Sequence, residues 1–92
     1  MNVKAAVQKA MEYVTEMFEA EQPTNIGLEE VSFNEEDNTW EVTIGLSRPW
    51  DYPKSLIQSL QAQEPRRQYK TVKIDNKIGE VKSIKIRDVR HE

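Results

Sequence analysis

RQYKTVKIDNKIGEVKSIKIRDV, residues Arg67–Val89, decides the fold. Val72 and Ile74 alternate with Thr71 and Lys73, and Ile84 and Ile86 alternate with Lys85 and Arg87. A period of two marks a strand with one face buried. Between the two runs lies Asp75-Asn76-Lys77-Ile78-Gly79, where Gly79 suits a turn position of positive φ. The stretch predicts a hairpin with strands near 67–75 and 80–89. Tyr69 and Val81 fall out of phase, so each either faces the other way or sits at a bulge.

Before the hairpin, residues 48–66 read as an irregular crossing. Arg48-Pro49-Trp50-Asp51-Tyr52-Pro53 carries two prolines and two aromatics, and each proline would remove a ladder donor from a central strand. Leu56, Ile57 and Leu60 form a small apolar edge that suits either a short helix or an unstructured passage. Residues 39–47, TWEVTIGLS, are the clearest strand, with Trp40, Val42, Ile44 and Leu46 on one face. The polar turn Glu35–Asn38 joins it to a strand near 26–34, in which Val31 and Phe33 share a face. Leu28 is out of phase there, so the strand bends near Glu29-Glu30 or begins after it.

Residues 2–20 predict a helix. Val3, Ala6, Val7, Ala10, Met11, Val14, Met17 and Phe18 recur in steps of three and four. Asn2 is placed to cap it, and Pro23 ends it. A one-sided helix needs a sheet to lie on. The expectation is one α+β domain over 1–92: an N-terminal helix packed on a four-stranded antiparallel meander, α-β-β-β-β. Its expected core is Val7, Met11, Val14, Phe18, Val31, Phe33, Trp40, Val42, Ile44, Val72, Ile74, Ile84 and Ile86.

This element order resembles the cystatin-like architecture without its initial strand. The segment VKIDNKIGEVKSIKI, Val72–Ile86, also resembles the strand–Asp–turn–Gly–strand unit of PepSY-type domains. The resemblance implies a small bacterial α+β domain. It does not imply protease inhibition, because the tip Asn34–Thr39 lacks the Q-x-V-x-G loop of inhibitory cystatins. Pro49-Trp50 matches a cystatin dipeptide but falls between the hairpins rather than within the second. PepSY-type domains are usually exported or membrane-attached, whereas this chain shows no export signal, and a cytoplasmic location is expected.

Composition narrows the chemistry. With no cysteine there is no disulfide, thiolate nucleophile or Cys-based metal site. The single histidine, His91, is penultimate, which suits neither a catalytic base nor a metal ligand. Phosphate-binding glycine motifs and calcium-loop spacing are missing. We therefore expect a non-enzymatic domain with no cofactor and no metal. Charge is uneven: residues 1–65 hold 4 Lys/Arg against 12 Asp/Glu, a net of −8, and residues 66–92 hold 9 against 4, a net of +5. Two halves lying side by side would compensate each other.

Two surfaces are candidates for binding. Arg48, Trp50 and Tyr52 are residue types enriched at protein interfaces, and with Asp51 they make the candidate contact, whose expected partner is a protein. The competing reading folds Trp50 back over an open end of the core. Tyr69, Lys73, Lys85 and Arg87 share the outward face of the last hairpin, a basic surface on which nucleic acid is the weaker expectation. A pocket for a small ligand or substrate between helix and sheet is the alternative, and polar residues pointing inward would mark it. A homodimer through the uncovered face or an edge is also expected, although Lys-rich strands protect edges in monomers. No membrane association is expected.

Overall fold

Asn2 caps the first helix as its position requires, its Oδ1 accepting the Ala5 amide at 2.8 Å. The computed structural model describes residues 1–52 and 66–87. Helix α1 spans Val3–Met17, and a 3-10 turn follows at Glu19–Glu21. The helix is shorter than the sequence predicts. Gln22 precedes Pro23 and adopts φ +52°, so the chain tightens into the 3-10 turn before it leaves.

Four strands follow: β1 Thr24–Asn34, β2 Thr39–Ser47, β3 Gln68–Asp75 and β4 Val81–Ile86. They form one antiparallel sheet in the order β1-β2-β3-β4, the expected meander. Together with α1 they make an α+β fold of two layers. The expected second hairpin is trimmed at both ends. β3 starts at Gln68, β4 stops at Ile86, and Asp88 and Val89 lie outside the described residues. So do Leu56, Ile57, Leu60 and His91.

The out-of-phase residues find separate solutions. In β1 the register shifts between Leu28 and Glu30, so Glu29 is the extra residue of a bulge and the strand bends there. A second shift, between Lys73 and Ile74 of β3, pairs Ile74 with Val81 and turns Val81 toward the core. Tyr69 keeps the strict alternation and faces outward, opposite Gly45. At the last turn Gly79 takes φ +71°. The Ile78 and Lys77 amides donate to Asp75 Oδ1, which holds that carboxyl below its ordinary pKa.

The core lies between α1 and the inner face of the sheet. Ala6, Ala10, Val14, Val42, Ile44, Leu46, Val72 and Ile74 are fully buried. The alanines follow from geometry: the line of closest approach between helix and sheet admits small side chains, and Val7, Met11 and Phe18 pack along its flanks. Two expected core residues are corrected. Ile86 is 77% exposed and Phe33 38% exposed. A helix about 10 Å across covers two or three strands spaced about 4.8 Å apart. Its contacts fall on β1, β2 and β3, and the far end of β4 lies beyond it. Phe33, on the opposite edge strand, stacks instead on Trp40 with ring centroids 4.9 Å apart.

The two hairpin tips are tied together at one end of the sheet. The Asn76 amide donates to the Asn38 carbonyl at 3.0 Å, and Asn76 Nδ2 to Asn38 Oδ1 at 3.1 Å. Trp40 Nε1 donates to Asn76 Oδ1 at 2.8 Å.

Candidate functional site

The opposite end of the sheet carries the turn that follows β2. Pro49–Asp51 form a 3-10 turn with proline at its start, where a missing amide costs nothing. Asp51 Oδ2 accepts the Arg48 amide at 2.8 Å and Arg48 Nε at 3.1 Å. Arg48 Nη1 also reaches Glu21 Oε1 at 3.5 Å. With its guanidinium fixed from two sides, Arg48 lies 4.9 Å from the centroid of the Trp50 ring. Trp50 is 52% exposed and lies outside the buried cluster. Tyr52 is 37% exposed, and its hydroxyl bonds Thr24 Oγ1 at 2.7 Å and Asn25 Nδ2 at 3.1 Å. The structure thus brings Arg48, Trp50, Asp51 and Tyr52 into one braced turn, with Trp50 on the outside.

Burial pushes the Asp51 carboxyl upward, but its hydrogen bonds from the Arg48 side chain and amide prevail and hold it below the ordinary range. The folded value lies below the unfolded value of about 3.9. The pair's contribution is therefore complete above that pH and is lost as pH falls through the folded value. We expect Trp50 fluorescence, read in a Trp40→Phe background, to change below about pH 4. In Asp51→Asn it should already have the low-pH signal at neutral pH. A titration curve unaltered by Asp51→Asn would show that the bracing is absent.

The second set lies on the outer face of the sheet. Lys73 bonds Asp37, Arg87 Nη1 bonds Glu30 Oε2 at 2.8 Å, and Arg67 Nη2 bonds Glu29 Oε1 at 3.0 Å. Each pair joins the basic last third of the chain to the acidic part before it. Arg87 also donates to Thr43 Oγ1 at 3.1 Å, and the Thr43 and Thr71 hydroxyls are 3.0 Å apart. Arg67 lies over two glycines paired across strands, Gly27 and Gly45. A Cβ on Gly45 would stand 2.5 Å from Arg67 Nη2, so a larger residue there would push the Arg67–Glu29 pair off its present place. Tyr69 and Lys85 occupy the same outer face, and Lys85 has no ion-pair partner among the described residues. A groove of about 230 Å³ on this face is lined by Glu30, Ser32, Glu41, Thr43, Thr71 and Arg87.

The inner face holds one residue that the sequence reading missed. Lys70 is 7% exposed, and its Nζ stands 5.0 Å from the centroid of the Phe18 ring. Strict alternation from Val72 and Ile74 already places Lys70 inward, so the signal was present and residue type obscured it. Phe18 is the C-cap of α1, whose last turn has no basic side chain of its own. Lys70 brings a cation to that negative helix end from the sheet. Among the described residues no cluster of three or more His, Cys, Asp or Glu could hold a metal ion, and no helix is long and apolar enough to cross a membrane.

Comparison with known proteins gives no family model, curated protein or solved structure that matches the chain.

Proposed function

We propose that this chain is a small non-enzymatic accessory domain, cystatin-like in architecture, that binds a protein partner through the turn Arg48–Tyr52. The observation that carries the reading is a half-exposed tryptophan on a backbone already fixed by Arg48, Asp51 and Glu21. An aromatic side chain held in place before binding loses little freedom on association, which is what makes such residues hot spots. The proposal favours protein over nucleic acid because Lys73 and Arg87, two of the cations a phosphate backbone would use, are already answered by carboxylates. It favours binding over catalysis because the inner layer is apolar apart from Lys70, whose ammonium faces the Phe18 ring.

Trp50→Ala tests it. Thermal stability should change by no more than about 1 kcal/mol, since the ring is not core. Recovery of a partner in affinity capture with the full chain should fall by the amount expected of a hot spot, at least about 2 kcal/mol. A large stability loss would assign Trp50 to closing the core and end the proposal, as would an unchanged set of captured proteins.

A further inference from the structure

We propose that two copies of this chain associate through the outer face of the sheet, about a twofold axis running along the strands between β2 and β3. Helix α1 covers the inner face alone. The outer residues lie in cross-strand rows: Glu30, Thr43, Thr71 and Lys85 in one, and Ser32, Glu41, Lys73 and Ser83 in the next. In both rows the acid lies on β1 or β2 and the lysine on β3 or β4.

A half turn about the stated axis lays β1 over β4 and β2 over β3 and returns each row to itself. Glu30, which also holds Arg87 of its own copy, then meets Lys85 of the second copy, and Glu41 meets Lys73, which keeps Asp37 as its partner within the chain. One outer face is complementary to itself, which is the condition for a twofold interface. The groove supplies the depth. Glu30 and Glu41 line it, and the lysine stems of the second copy enter where it opens. Glu41 and Lys85 have no ion-pair partner among the described residues. Within one copy they stand two strands apart, about 10 Å, and a half turn brings the carboxylate half of one face over the lysine half of the other. Facing sheets pack about 10 Å apart with strands inclined by about 30°, so the match is best in these central rows. An interface of this polarity is held by screened charges and weakens with salt.

Sedimentation of the full chain at low and at about 1 M salt tests the idea, the Debye length falling to about 3 Å in the latter. A dimer at low salt that returns to the 10.8 kDa monomer at high salt is expected. Lys85→Glu sets Glu against Glu30 of the second copy and should raise Kd at least about tenfold. The exchanged variant Glu30→Lys with Lys85→Glu, made with Arg87→Gln so that the new lysine faces no cation of its own copy, should restore association. Trp50→Ala should leave the dimer intact, which separates this face from the partner-binding turn. A monomer at every salt concentration overturns the proposal. So does a dimer indifferent to Lys85→Glu, one that the exchanged variant does not restore, or one abolished by Trp50→Ala.

Discussion

Ile44→Ala is expected to lower the unfolding free energy by about 2–5 kcal/mol, among the largest effects of a single truncation among the described residues. Ile44 is, with Leu46 and Ile74, one of the largest fully buried side chains among the described residues, and it sits near the middle of β2. It pairs with Leu28 on one side and Lys70 on the other, and α1 packs above it. Neighbours held on both sides by strand hydrogen bonds cannot collapse into the space left, so lost transfer energy and cavity cost add. Domains of this kind are stable by about 5–15 kcal/mol, so one substitution removes a large share. Urea titration should show a lower midpoint with an unchanged slope. Ile86→Ala is the control. It trims the same side chain from the same inner face at a site 77% exposed, and should cost no more than about 0.5 kcal/mol. Equal losses at the two sites would mean that the helix does not lie where the structure places it.

That contrast shows how far the sequence could be read. The period of two in β3 places Lys70 inward, although its residue type hid this, and the period of helix α1 marked the buried Ala6, Ala10 and Val14 together with Val3 and Met17, which are exposed. What periodicity does not contain is the width of the covering layer. Ile84 and Ile86 have identical patterns, yet the first packs on the core and the second, the last residue of the edge strand β4, is exposed. Size misled in the opposite sense: Ala6 and Ala10 looked minor beside Met11 and Phe18 but lie where helix and sheet approach most closely. The bulge at Glu29 was visible as a broken alternation. Its partner Arg67 was not, since 38 residues separate them and only the folded sheet brings them together.

The candidate surfaces show the same division. Trp50 and Tyr52 stood out by residue type, but whether they point inward depends on Arg48 and Asp51, neither of which shows a side-chain direction in the sequence. The outer face was legible as basic on β3 and β4. That β1 answers it with Glu29 and Glu30 follows from the strand order, because Arg87 must cross β3 and β2 to reach Glu30. Exposed pairs of this kind contribute little to stability, about 0–1 kcal/mol each. Their consequence is to bring the acidic and basic parts of the chain together across the sheet.

Asn76→Ala is the second large effect expected, a loss of about 1–3 kcal/mol from a residue in a surface turn. The side chain serves three groups at once, its oxygen also accepting from the Met1 ammonium at 3.3 Å. Its oxygen accepts from the part-buried Trp40 indole, and its amide donates to Asn38 in the neighbouring hairpin tip. Alanine removes the partner of the part-buried Trp40 N–H, and an unmet donor costs more than a typical hydrogen bond contributes. Backbone effects are small by comparison, since the Asn76 amide bond to the Asn38 carbonyl survives the change. Asn76→Asp keeps the acceptor role and loses the donor role: a carboxylate still accepts from Trp40 and from the Met1 ammonium but cannot donate to Asn38, so most of the loss should be recovered. Chemical denaturation gives the energies, and Trp40 emission in a Trp50→Phe background reports the indole. A red shift in Asn76→Ala that Asn76→Asp reverses is the expected pattern. If Asn76→Ala is neutral and the emission stays put, the indole is satisfied by water and the two hairpin tips are held by their backbone alone.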